Sequence, residues 1–246
     1  MGAGFGFRVD RHDRAWRFLQ SLSFDFALLQ ETVVPSWAGE VWNSDRIAYV
    51  PRRTGALWGT AVLSGGSSIQ TFEPSSDRYP WSNELQGASL ITHTSDEEIW
   101  LVSLHSNAQP VPSELLLRHQ HDHVLRCRHD GVWEIELIAG ELQEILAEKS
   151  FFAGGDLNQS LLFDKVYGRS RNNWKAFANL AAQGFVDTRL SPDEQQTFFR
   201  PRSHGYQLDH VFADSETAAA VRSWSVMSTA ATDLDLSDHA PIVIDC

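Results

Sequence analysis

Basic residues are scarce in this chain: 20 lysines and arginines stand against 32 aspartates and glutamates, a net charge of −12 over 246 residues. Proteins that grip nucleic acid broadly carry a basic surface, because much of their affinity comes from neutralising phosphates. The deficit argues against a general nucleic-acid binder. It leaves room for a nuclease, whose cut site can rely on metal ions and a few local arginines. Cysteine is scarcer still, with only Cys127 and Cys246. That excludes a disulfide framework and makes a reduced, cytoplasmic protein the default. No apolar stretch is long enough to span a bilayer, and the N-terminus lacks the apolar run of a signal peptide. Low-complexity runs, internal repeats and linker-like clusters are missing too, so residues 1–246 read as one α/β domain with no protein partner evident.

Apolar residues are plentiful: 42% of the chain is hydrophobic and nine residues are tryptophan, ample for a packed core. Trp16 and Leu19 have helical spacing and predict a helix over Arg14 to Leu22. Strands are expected at Phe24 to Leu29, Arg46 to Val50, Trp58 to Leu63, Ile69 to Phe72, Ala88 to His93 and Glu98 to Leu104, with a hairpin turn at Asp96-Glu97-Glu98. Helices follow at Ser113 to Arg128, Val132 to Lys149 and Asn173 to Gln183, the last ended by Gly184. Strands near Thr197, at Leu208 to Phe212, Ser223 to Met227 and Pro241 to Ile244 complete the pattern.

Polar residues sit where these apolar runs end. The last ten residues carry Asp238-His239-Ala240-Pro241 in front of the run Ile242 to Ile244. This puts a carboxylate and an imidazole at the mouth of a strand, the pairing that metal-assisted hydrolysis of a phosphate ester needs. The strand Phe24 to Leu29 runs into Gln30-Glu31, and Val102-Ser103-Leu104 ends in His105-Ser106. Phe151-Phe152-Ala153 leads to Gly154-Gly155-Asp156-Leu157-Asn158, and Gln207-Leu208 precedes Asp209-His210-Val211-Phe212. A sheet delivers side chains to one common rim in this way. Asp156 and Asn158, two apart, project to the same side of an extended segment. An Asx-turn after the glycines is the plainer alternative for them.

This ordered set, with Trp58-Gly59-Thr60-Ala61-Val62-Leu63-Ser64 as an internal strand, resembles the endonuclease/exonuclease/phosphatase superfamily of metal-dependent phosphoesterases from Phe24 to Ile244. The resemblance implies an α/β fold, a four-layer α/β sandwich of two packed mixed sheets flanked by helices. It implies that Glu31 and Asp238 bind a divalent ion, magnesium or manganese, through hard oxygen atoms. Asp156 would orient or deprotonate the attacking water, and Asn158 would bond a phosphate oxygen. Asp209 would orient His239, and His105 would contact a phosphate oxygen or protonate the leaving group. Leu104-His105-Ser106 is similar to the deoxyribonuclease branch.

Other polar clusters read more plainly. His119, His121, His123 and His129, among Arg118, Arg126 and Arg128, fit a solvated helix face better than a metal site. Arg200, Arg202 and His204, like Arg52 and Arg53, could touch phosphates or lie on surface loops, and Glu84 could support His105. One departure stands out. Family members begin with a strand ending in asparagine upstream of Leu-Gln-Glu, whereas the first asparagine here is Asn43 and the chain opens Met1-Gly2-Ala3-Gly4-Phe5-Gly6. The expectation is a start lacking the first strand, either truncated just before Met1 or belonging to a protein that has lost part of its site. The leading functional reading is a metal-dependent nuclease or phosphodiesterase acting on a phosphoester substrate, nucleic acid among the candidates. The alternatives are a phosphomonoesterase on inositol or other small phosphates, and a catalytically silent interaction protein.

Overall fold

A computed structural model describes residues 9–51, 58–79, 81, 89–95, 99–118, 131–167, 173–201 and 204–246. In chain order its elements are α1 (Val9–Gln20), β1 (Phe26–Thr32), α2 (Ala38–Trp42), β2 (Ile47–Pro51), β3 (Gly59–Ser64), β4 (Ile69–Phe72), β5 (Ser89–Thr94) and β6 (Trp100–His105). Then come α3 (Ser113–Arg118), α4 (Glu134–Ile145), β7 (Phe151–Asp156), α5 (Leu161–Val166), α6 (Asn173–Ala182), β8 (Val186–Asp187) and β9 (Asp209–Ala213). The chain closes with α7 (Ser215–Ala219), β10 (Ser223–Val226), α8 (Thr229–Thr232) and β11 (Ile242–Asp245).

Two sheets carry the architecture, one ordered β1-β3-β2 and one of six strands ordered β4-β5-β6-β7-β9-β8; β10 and β11 pair separately. The first sheet is antiparallel, and the second is mixed because β6 and β7 run parallel. Strand alternation sorts the side chains into layers. From β1, Phe26 and Leu28 enter the core between the sheets with Val62, Leu90, Leu101 and Phe152. Ala27 and Leu29 face the other way, packing with Trp16 of α1 and Trp42 of α2. The far face of the larger sheet presents Val102, Leu104, Ala153 and Phe212 to Ile138 and Leu142 of α4 and Leu180 of α6. Each fully buried leucine or isoleucine in these layers stabilises the fold by about 1.5–3 kcal/mol. The order helix, sheet, sheet, helix is the four-layer sandwich that the resemblance implied, except that among the described residues only the larger of the two sheets is mixed.

Boundaries differ from the sequence reading where local chemistry intervenes. The first helix starts earlier, at Val9, and ends at Gln20, and its Trp16 indole donates to Thr32 Oγ1 at 3.0 Å and fixes α1 on β1. The helix expected from Val132 begins only at Glu134, since Trp133 stays extended and donates its backbone N–H to the Glu136 carboxylate at 2.8 Å. In place of a strand near Thr197 there is a single bridge between Phe198 and His239. Short α2, α5, α7 and α8 went unanticipated, being too brief to show a periodicity. Gly184 has φ +87, the conformation that ends α6. The glycine-rich start, the Asp96–Glu98 turn, the histidines of 119–129, Arg52, Arg53, Glu84 and Arg202 lie outside the described residues.

Candidate active site

Three strands end at one edge of the larger sheet, and each brings one titratable side chain. His105 closes β6, Asp156 closes β7 and Asp209 opens β9. Backbone pairing sets them in a row, with His105 opposite Asp156 and Asp156 opposite Asp209. On β6 the alternation that sends Leu101 into the inter-sheet core also sends Ser103 and His105 to that face. The row therefore faces the end of the other sheet, where β1 arrives.

β1 needs a break in its pattern to contribute. Continued alternation would turn Glu31 outward with Ala27 and Leu29. Instead Glu31 has φ 50, and the β1–β3 register shifts between Leu29 and Thr32. A left-handed non-glycine residue costs of order 1–3 kcal/mol, and such strain gathers at functional sites. The bend brings Glu31 Oε1 to 3.6 Å from His105 Nε2. Gln30 anchors the turn by donating to Ser103 Oγ at 2.8 Å, while Ser103 donates to the Leu29 carbonyl at 3.2 Å. This requires Gly155, with φ +146. A Cβ there would stand 2.0 Å from the Leu104 carbonyl oxygen and 2.6 Å from the Gln30 amide.

Asp156 is the hub. Its Oδ2 lies 3.7 Å from His105 Nε2 and 3.9 Å from His239 Nε2. The Asn158 backbone N–H donates to Asp156 Oδ1 at 2.9 Å, closing an Asx-turn, and Asn158 has φ 53. The Asn158 side-chain amide donates to Asp156 Oδ2 at 3.1 Å and to the Ser106 carbonyl at 3.0 Å. A phosphate contact through this amide requires it to give up one of those partners. Burial raises the Asp156 pKa against the opposing pull of the His239 charge.

His239 reaches the row from the strand-like segment before β11. Ala240 N–H donates to the Thr197 carbonyl at 2.8 Å and Phe199 N–H to the Asp238 carbonyl at 2.7 Å, so the segments 197–199 and 238–240 lie side by side. The Thr197 hydroxyl accepts from Leu208 and Asp209 N–H groups at 3.0 and 3.1 Å, tying this pair to the start of β9. His239 Nδ1 then stands 2.8 Å from Asp209 Oδ2, with its ring against Phe198. Burial disfavours the imidazolium, yet the Asp209, Asp156 and Asp238 carboxylates outweigh it and push the pKa up to about 10. These carboxylates favour the imidazolium, in which Nδ1 donates to Asp209 and Nε2–H faces the gap before Asp156.

Asp238 turns elsewhere. Its Oδ2 accepts from Arg200 Nε at 2.5 Å, and although burial works against it, the neighbouring His239 and Arg200 charges hold its carboxyl below the usual range. The ligand atoms of Asp156, Asp209 and His239 lie within 4.8 Å of one another, a grouping that could hold a metal ion. A protonated imidazole has no free lone pair, however, so while His239 is charged only oxygen donors are on offer. The carboxylates of Asp156 and Asp209 suit a hard divalent ion such as magnesium or manganese, whereas Glu31 stands against His105 and Asp238 against Arg200.

The structure thus brings Glu31, His105, Asp156, Asn158, Asp209 and His239 to one rim, while Asp238, next to His239 in the chain, pairs with Arg200. Two further contributors escaped the sequence reading. Trp58 sets its ring edge-on to His105 at 5.1 Å, and Phe198 packs between His239 and Arg200. Phe198 and Arg200, two apart on an extended segment, carried a faint signal of a shared side; Trp58 carried none beyond its strand.

No family model and no curated protein sequence matches this chain. Solved structures do. A 3′ phosphatase from Neisseria, NExo, bound to a product DNA hairpin, superposes with TM-score 0.68 at 16% identity, covering 96% of this chain and 94% of that one. An AP endonuclease from Archaeoglobus fulgidus gives TM-score 0.65 at 17% identity, covering 94% and 92%. The endonuclease domain of TRAS1, a telomere-specific non-LTR retrotransposon, gives 0.63 at 14% identity, covering 97% and 93%. The shared feature at these identities is the fold, along nearly the whole of each chain.

Proposed function

We propose that this protein is a divalent-metal-dependent phosphoester hydrolase, a nuclease or phosphodiesterase that uses in-line attack by water. The observation that carries this reading is the gap between a buried carboxylate and an imidazolium, with Asp156 Oδ2 3.9 Å from His239 Nε2 on a rim crowded with carboxylates. Asp156 holds the attacking water and accepts its proton, aided by a pKa that burial has raised. His239, oriented by Asp209, donates from Nε2 to a non-bridging phosphoryl oxygen and stabilises the charge that grows there. His105, between Glu31 and Asp156, contacts a second phosphoryl oxygen or passes a proton to the departing oxygen as the phosphorus–oxygen bond breaks. Asn158 keeps Asp156 in place and offers its amide to the phosphate. Magnesium or manganese held by Glu31 and Asp238 would neutralise charge on the phosphoryl group.

Support for nucleic acid as substrate comes from the solved structures of this fold, which include a DNA 3′ phosphatase and endonucleases. Cysteine scarcity supports a cytoplasmic setting, and among the described residues no helix is long and apolar enough to cross a membrane. The test is a phosphoester panel of DNA, RNA, inositol phosphates and phospholipid head groups, with magnesium or manganese and then with chelator. Metal-dependent turnover of a phosphodiester, abolished in Asp156→Asn and needing more metal in Glu31→Gln, is expected. Turnover of small monoesters alone would move the assignment to the phosphatase reading. No turnover of any substrate, or turnover indifferent to chelator, would overturn it.

A further inference from the structure

Asp238 is expected to serve a cation, yet in this structure a cation from the chain itself already serves it. We infer that Arg200 is a built-in counter-ion that competes with a divalent metal for the Asp238 carboxylate, so that Arg200 sets how tightly the site binds metal. This rests on the reading of the rim as a metal site.

The geometry is specific. Arg200 Nε donates to Asp238 Oδ2, and the side chains are only 35% and 28% exposed, so water weakens this pair less than an open surface pair. The guanidinium lies 5.2 Å over the Phe198 ring, and that ring packs on His239 at 5.1 Å. The backbone holds both ends: Phe199, next to Arg200, donates to the carbonyl of Asp238 itself. Arg200 and Asp238 are therefore positioned by the same paired segments that carry His239 to Asp209. A divalent ion that takes Asp238 must displace Arg200 from Oδ2, or share the carboxylate with it at the cost of like-charge repulsion. Either way metal affinity is lowered by the strength of the pair.

Manganese titration by calorimetry, without substrate, tests this on the full chain. Arg200→Gln should bind manganese about tenfold more tightly than the wild type, with Arg200→Lys in between. The decisive comparison uses Asp238→Asn. Direct competition requires the tightening by Arg200→Gln to vanish in the Asp238→Asn background, because no carboxylate remains to compete for. Equal tightening in both backgrounds would reduce Arg200 to a distant positive charge and overturn the inference, as would unchanged or weaker binding in Arg200→Gln. Metal-dependent hydrolysis that persists while Arg200→Gln leaves manganese affinity untouched would sink this inference and spare the functional reading. Absence of manganese binding in every variant would sink both.

Discussion

Among the described residues Asp-His occurs as Asp209-His210 and as Asp238-His239, and the same dipeptide is put to opposite uses. In the first, Asp209 faces the rim while His210, on the other face of β9, is buried 1% exposed between Phe177 and Phe212, its Nε2 2.9 Å from the Gln159 carbonyl. In the second, His239 faces the rim while Asp238 turns to Arg200. The working pair is crossed: the aspartate of one dipeptide holds the histidine of the other. Electrostatics follow the same division. Burial lowers the His210 pKa and its carbonyl partner does not compensate, whereas three carboxylates reverse the effect of burial at His239. Proximity in sequence says nothing about which histidine will be charged. The partners that strand pairing supplies decide it.

Replacing each histidine separates the two roles. His239→Ala should cost about 10²–10⁴ in turnover, the usual worth of a positioned proton-transferring or charge-stabilising group, with the fold retained but its stability at neutral pH reduced. His210→Ala should act on stability alone, lowering it by roughly 2–4 kcal/mol through a buried cavity and a lost hydrogen bond. Its turnover, measured well below the melting temperature, should stay near the wild-type level. Denaturant unfolding and steady-state kinetics on both variants check the contrast; a His210→Ala protein that is stable but inactive would erase it.

A smaller effect lies in the pH dependence of stability, measured with chelator present. His210, with a folded pKa below the unfolded value of about 6.5, contributes stability that is full above that pH and is lost as the pH falls below it. His12, also lowered by burial, acts in the same sense. His239, with its pKa pushed up to about 10, contributes stability that is full below about 6.5 and is lost as the pH rises through 10. Melting temperature should accordingly sag at both ends of the range. His239→Gln should flatten the alkaline limb and leave the acid limb, and an unaltered alkaline limb would show that the imidazolium is not held as described.

Much of this was legible because apolar runs ended in polar residues. The strands carrying His105, Asp156 and Asp209 announce themselves in that way, and a common rim follows from their pairing. What the sequence hides is local and physical. Nothing in Gln30-Glu31 signals the left-handed turn that swings Glu31 toward His105, made where Gln30 packs against Gly155. Asp238 reads as a rim carboxylate, and only the pairing of 197–199 with 238–240 reveals Arg200 as its partner. The glutamates of α4 show the converse. Glu134, Glu136 and Glu141 are all nearly fully buried, yet their carboxylates accept from the backbone N–H groups of Asn107, Trp133 and Trp81 and so stitch loops to the helix. A buried carboxylate facing backbone is structural; one facing other titratable side chains across a gap is where chemistry is to be sought.

The crossed pair is tested most directly by a double-mutant cycle on metal-dependent turnover with Asp209→Asn, His239→Ala and both together. Groups that act as a unit lose their effect together. The double variant should therefore be no more than about threefold slower than the worse single. Fully additive losses for Asp209 and His239 would mean that the 2.8 Å contact between them does not organise the site, and the account of the rim would fail.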